Sequence, residues 1–179
     1  MIIRNSTQRI NDIANLLLQK GKDKNQEKNH NQDCEPVMLV SILDSIVSEK
    51  RAQYRQRLDV DIQTDISSGY GLFAKIQSTD LARAISNAVN NSVEAFTGKG
   101  YVTISLSSDN DFAIISIKDN GKGIPKHILE KLGERGVTFG KDGTQSGSGL
   151  GVFQAKTSIE AIGGKYEIIS KEDNGTSIL

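Results

Sequence analysis

The stretch NAVNNSVEAF, Asn87 to Phe96, decides how the chain is read. It closes a segment, residues 79–96, whose apolar residues fall at helical spacing. At roughly 100° per residue, Leu81, Ala84, Ile85, Ala88, Val89, Ser92 and Phe96 share one broad stripe. Such a stripe packs on a sheet, and Ser78 or Thr79 is the expected N-cap. Asn87, Asn91 and Glu94 fall on a narrow polar stripe beside it. Asparagine is a mediocre helix former because its side chain competes for backbone hydrogen bonds. Two of them one turn apart offer neutral, hard oxygens of the kind Mg²⁺ accepts alongside phosphates and water. Solvated surface asparagines are the competing reading of the same pair.

On either side of this helix the pattern alternates between period 2 and period 3.6. Val60 to Ile66 and Leu72 to Ile76 read as strands, as do Tyr101–Ser107 and Phe112–Lys118, the last two joined by a hairpin around Asp109–Asn110. Residues 37–57 read as an amphipathic helix with Leu39, Ile42, Leu43, Ile46, Val47 and Tyr54 on one side. Another helix is expected from about 149 to 162, stopped by Gly163 and Gly164. A strand follows through Tyr166, Ile168 and Ser170, and Asn174–Gly175 turns into a short last one. The sum is a two-layer α/β sandwich: a mixed, mostly antiparallel sheet covered on one face by about three helices.

Residues 3–20 form a further expected helix, with Ile3, Ile10 and Leu17 recurring every seven residues. Residues 21–36 are rich in Lys, Asn and Gln without apolar periodicity and read as a polar linker. The organisation is therefore helix 1–20, linker 21–36 and one domain over 37–179. The 179 residues suit a single core. Twenty-two basic residues balance 22 acidic ones, so no field favours nucleic acid or an anionic membrane. Cys34 is the only cysteine and fits a reducing compartment. The apolar runs fall far short of the ~20 residues a membrane helix needs.

Two more stretches carry chemistry. DNGKGIP, Asp119 to Pro125, follows a strand directly. A carboxylate fixed at a strand end can accept a hydrogen bond from an exocyclic amine such as that of adenine, and Gly121 and Gly123 let the backbone approach a flat base. A plain turn is the alternative. The glycine-rich stretch 133–151 ends in GSGLG, Gly147 to Gly151, at an expected helix start. Glycine amides there make an anion site, with Lys141 upstream as a possible cation for a phosphate oxygen. A surface loop is the alternative. Neither the dinucleotide fingerprint nor a Walker-type loop fits, since no strand precedes the glycines and no G-x-x-x-x-G-K-[ST] occurs. Thr176, entering the last strand, adds a hydroxyl.

Together and in order these pieces resemble the GHKL superfamily of ATPases and kinases, with the Bergerat-type ATP-binding fold. The Asn87–Asn91 segment looks like its N box, Asp119–Gly123 like its G1 box, Phe139 with Lys141 like its F box and lid, and Gly147–Gly151 like its G2 box. Within it the sequence is most similar to sensor histidine kinases. The resemblance implies ATP and Mg²⁺ as cofactors, with Asn87 and Asn91 holding the metal and Asn87, Asn91 and Lys141 serving catalysis. It implies nucleotide contacts from Asn91, Glu94, Asp119, Gly121, Gly123, Ile124, Phe139, Lys141, Gly147, Ser148, Gly149, Leu150, Gly151 and Thr176. It further implies transfer of the γ-phosphoryl group to a histidine on a helix of the parent kinase, a cognate response regulator, a homodimer in the full-length protein and a cytoplasmic location, as such or as part of a membrane-bound sensor. Neither His30 nor His127 sits in an acceptor-like helix. The alternatives are a catalytically silent ATP-sensing module and an anti-sigma-type serine kinase.

Overall fold

The computed structural model describes residues 2–4, 35–109, 111–132 and 150–179. The elements in chain order are β1 (Ile2–Arg4), β2 (Pro36–Met38), α1 (Leu39–Gln53), β3 (Val60–Asp65), a 3₁₀ turn (Ser67–Gly69), β4 (Phe73–Lys75), α2 (Ser78–Glu94), β5 (Gly100–Asp109), β6 (Phe112–Asp119), α3 (Lys126–Leu129), α4 (Leu150–Ala161), β7 (Ile168–Ser170) and β8 (Thr176–Ile178).

One sheet runs in the order β3-β5-β6-β8-β7, with β1 also on β6. Only β3 and β5 are parallel, and the other pairs are antiparallel. β2 and β4 form a separate antiparallel pair. Period-2 alternation puts Val102, Ile104 and Leu106 of β5 and Ala113, Ile115 and Ile117 of β6 on one face, each essentially without solvent contact. The apolar stripes of α1 and α2 pack over that face, joined by Ala155 and Ile159 of α4. A mixed sheet covered on one face is the two-layer sandwich that the sequence pattern predicts.

Three local expectations are corrected. Ile3 and Arg4 belong to a strand, so no helix begins at residue 3; the rest of the expected 3–20 helix lies outside the described residues. The pattern failed there because isoleucines spaced by seven suit a helix seam, whereas two adjacent β-branched residues also suit a strand that finds a partner. Val37 and Met38 likewise pair with β4, and α1 starts only at Leu39, since Pro36 favours extended entry and a backbone bond from Leu39 to Leu72 anchors the turn into the helix. Finally, Gln77 occupies the N-cap of α2 and makes no side-chain cap, so Ser78 and Thr79 lie inside the helix.

Candidate functional site

Asp119 is the last residue of β6 and is 95 % buried, at 5 % relative exposure. A buried carboxylate is tolerated only when its oxygens are hydrogen-bonded. Here the Gly121 backbone N–H donates to Oδ1 at 2.9 Å and the Thr176 N–H donates to the same atom at 3.1 Å. The Ser92 hydroxyl donates to Oδ2 at 2.8 Å. Three elements thus meet on one side chain: the middle of the sheet, the helix α2 and the entry to β8. Each carboxylate oxygen accepts about two hydrogen bonds, so Oδ2 keeps acceptor capacity for one more donor.

The loop after Asp119 is tied down from both sides. The Lys122 N–H donates to the Ala95 carbonyl at the C-terminal end of α2, at 3.0 Å. A Cβ at Gly121 would stand 2.7 Å from the Ala95 methyl, so only glycine lets the loop lie against the helix. Gly123 has φ +66° and passes so close to the Lys171 carbonyl that any side chain would collide with it. The Ile124 N–H donates to Ser170 Oγ at 2.9 Å. That hydroxyl also lies 2.9 Å from the Gly175 carbonyl and 2.9 Å from Thr176 Oγ1. The β7–β8 hairpin is therefore the second wall of the loop.

The opposite side of α2 meets α4. A Cβ at Gly151 would come within 3.2 Å of the Asn87 side-chain amide, so the first turn of α4 lies directly on Asn87. A small hollow of about 10 Å³ opens beside this contact, lined by Asp80, Arg83, Asn87 and Gln154 among others. Asn91 lies one turn on from Asn87 and is exposed. α2 thus meets the buried carboxylate through Ser92 and the start of α4 at Asn87. Among the described residues, no group of three or more His, Cys, Asp or Glu side chains is placed to hold a metal. Asparagine amide oxygens are neutral, hard donors of the kind Mg²⁺ accepts beside a ligand's own oxygens.

The remaining expected residues divide. Leu150 opens α4 and Thr176 opens β8. Glu94 is exposed, and its charge helps to push up the Tyr54 phenol, whose raised pKa is due first to burial. That places Glu94 towards α1. Asn90 faces the same way, accepting the Tyr54 hydroxyl proton at 2.9 Å, and so locks α1 to α2. Phe139, Lys141, Gly147, Ser148 and Gly149 lie outside the described residues. Sequence reasoning missed Ser92 and Ser170. Ser92 was placed in the packing stripe, and only the position of Asp119 reveals its hydroxyl as a partner. For Ser170 the available signal was its place on the strand leading into the Asn174–Gly175 turn.

Comparison with known proteins agrees with this geometry. The profile of the histidine kinase-, DNA gyrase B- and HSP90-like ATPases matches residues 76–179, which hold α2, β6, the Asp119 loop and α4. The chain is 28 % identical over 182 aligned positions to the sensor histidine kinase WalK of Bacillus subtilis, covering 99 % of this chain and 29 % of that protein. Sporulation kinase D of the same organism is 29 % identical over 179 positions, covering 99 % of this chain and 33 % of that protein. The chain therefore spans about a third of the length of these relatives. Among solved structures, the mycobacterial sensor histidine kinase MprB superposes with a TM-score of 0.66 at 25 % identity, covering 80 % of this chain and 93 % of that one. The full-length ShkA structure in complex with AMPPNP superposes with a TM-score of 0.68 at 20 % identity, covering 93 % of this chain and 34 % of that one, a likeness of fold. With the family profile matching more than half its length, the chain belongs to the histidine kinase-, DNA gyrase B- and HSP90-like ATPase family.

Proposed function

We propose that this chain is the ATP-binding catalytic part of a two-component sensor histidine kinase, which moves the γ-phosphoryl group of ATP to a histidine supplied by a separate helix of the parent kinase. The observation that carries the reading is the Asp119 carboxylate, fixed by Ser92, Gly121 and Thr176 with acceptor capacity left on Oδ2. Its open capacity suits the exocyclic amine of adenine, while Gly121 and Gly123 keep the loop flat beside a base. The names of the relatives support the kinase reading over a silent sensor or a serine kinase.

Phosphoryl transfer of this kind relies on positioning and charge stabilisation rather than on a protein nucleophile. Asn87 and Asn91 would hold Mg²⁺, whose charge supplies neutralisation of the phosphate oxygens. Gly147–Gly151 at the start of α4 and Lys141 would meet the phosphates through backbone amides and one cation. Phe139 would close the lid, and Glu94, Ile124 and Leu150 would border the nucleotide. The parent kinase would act as a homodimer, hand the phosphoryl group to a response regulator and keep this domain in the cytoplasm. Among the described residues no helix is long and apolar enough to cross a membrane.

Two measurements test the reading. ATP affinity with and without Mg²⁺ is compared for the wild type and Asn91→Ala, and radiolabel transfer from ATP to a separately supplied acceptor-helix protein is followed. Mg²⁺ tightens ATP in the wild type, the variant loses that dependence, and label reaches the acceptor histidine. Tight ATP binding without any transfer would leave a sensor and refute the kinase.

A further inference from the structure

Three polar side chains stand in one row at the end of the sheet. Ser170 on β7 is paired with Thr176 on β8. The register between β8 and β6 sets Ile178 opposite Ile117 and Ser177 opposite Lys118, so Thr176 comes next, beside Asp119. Ile117, Ile178 and Asp119 are all buried on the face that the helices cover. Alternation by two turns Thr176 to that same face, and cross-strand pairing turns Ser170 with it. The Thr176 N–H on Asp119 Oδ1 at 3.1 Å and the 2.9 Å contact between the Thr176 and Ser170 hydroxyls close the row.

A hydroxyl has one proton and two lone pairs, so its partners fix its direction. The Ile124 N–H donates to Ser170 Oγ at 2.9 Å. The Gly175 carbonyl, 2.9 Å away, can only accept, so it takes the single Ser170 proton. The Thr176 hydroxyl then donates to the last lone pair of Ser170 Oγ. With its proton directed at Ser170, Thr176 Oγ1 offers lone pairs alone to anything bound beside it. Asp119 Oδ2, with one acceptor place left beyond Ser92, offers the same.

We propose that Ser170 is a specificity-determining positioning residue: by holding the Thr176 proton it makes Asp119 and Thr176 an acceptor-only edge, which takes a base bearing an amine and rejects one bearing a carbonyl in its place. On the reading of Asp119 as the base contact, on which this rests, discrimination is shared by two side chains. An amine has two protons, one for each acceptor, directly or through a water. A carbonyl in its place sets lone pairs against lone pairs at both. Specificity is a difference of affinities, raised by repelling the wrong base as well as by holding the right one. Without the Ser170 hydroxyl, the Thr176 proton is released to turn towards the ligand, where it can serve a carbonyl.

The test compares the full chain's affinity for ATP·Mg with that for inosine triphosphate·Mg by titration calorimetry. The two nucleotides differ at this edge of the base, where a carbonyl replaces the amine and the neighbouring ring nitrogen gains a proton. The readout is the ratio of Kd for inosine triphosphate to Kd for ATP. A variant that merely loosens the loop weakens both nucleotides and leaves the ratio alone. Ser170→Ala should lower the ratio about tenfold, as expected when an opposed acceptor becomes a neutral hydrogen bond. Ser170→Thr keeps the hydroxyl and should hold the ratio within about twofold of wild type. Thr176→Val leaves the Ile124 and Gly175 bonds of Ser170 in place and removes one acceptor, so the ratio should fall by a smaller factor, about threefold. An unchanged ratio in Ser170→Ala, or an equal fall in Ser170→Thr, would overturn the role of Ser170. A ratio that Thr176→Val leaves alone or raises would overturn the acceptor assignment, a rise being what a donating hydroxyl gives. A wild type without preference for ATP would overturn the Asp119 reading as well, whereas a preference that survives Ser170→Ala intact would overturn this proposal alone.

Discussion

Replacing Asp119 by asparagine separates what this side chain does for the fold from what it does for a ligand. Its Oδ1 accepts from the Gly121 and Thr176 N–H groups, and an asparagine carbonyl oxygen can accept both. Its Oδ2 accepts from Ser92. In the variant the new amide N–H₂ donates to Ser92 Oγ, whose hydroxyl turns to a helix carbonyl, an arrangement serines in helices adopt. The fold therefore loses mainly the charge assistance, about 1 kcal/mol. A bound adenine loses more, because its amine then faces a donor in place of an acceptor. A hydrogen bond to a charged group is worth roughly 1.5–3 kcal/mol, so ATP affinity should fall about 10- to 150-fold. Asp119→Ala provides the contrast. It leaves two backbone N–H groups and a buried hydroxyl without their acceptor, at roughly 1–3 kcal/mol each, and should cost stability as well as binding. Titration calorimetry with ATP·Mg and denaturant melts on the same samples measure both quantities. An Asp119→Asn protein that binds ATP within twofold of wild type, with its stability intact, would refute the adenine role of this carboxylate.

Gly123→Ala should destabilise by about 1–2 kcal/mol from its left-handed backbone alone, with a further loss from collision with the Lys171 carbonyl. Thermal melts should show a fall of about 4 °C or more, and no fall would contradict the packed loop. Tyr166 is buried and its phenol is pushed up to about 12 from the ordinary 10.0 by loss of solvent. The unfolded chain gives up that proton near pH 10 while the folded chain keeps it, so stability is intact below pH 10 and falls between pH 10 and 12 by up to about 3 kcal/mol. Tyr166→Phe should flatten that part of the pH–stability curve, and an unchanged slope would show the burial to be wrong.

Long, strongly periodic elements could be read from the chain alone. The apolar stripe of α2 gave both its helix and its packed face, and the alternation in β5 and β6 gave their core-facing residues. The Asp119 loop was legible in position, because a strand runs directly into Asp-Asn-Gly-Lys-Gly, while the same residues alone also suit a plain turn. The three-residue strands β1 and β2 were not legible, since three residues hold no periodicity and each depends on a partner far along the chain. For the same reason Ser92 was hidden: on its helix it is a small residue in an apolar stripe, and its chemistry exists only because β6 ends beneath it. Asn90 differs again. In the sequence it is one more polar residue of the helix, and its role shows only where α1 packs on α2 and the Tyr54 hydroxyl donates to it.

The most direct test is a crystal structure of the chain with a non-hydrolysable ATP analogue and Mg²⁺. The adenine amine should lie within about 3 Å of Asp119 Oδ2, the usual hydrogen-bond distance, and the metal should lie on the Asn87 and Asn91 side-chain oxygens. A base bound away from Asp119, or a metal held elsewhere, would contradict the account.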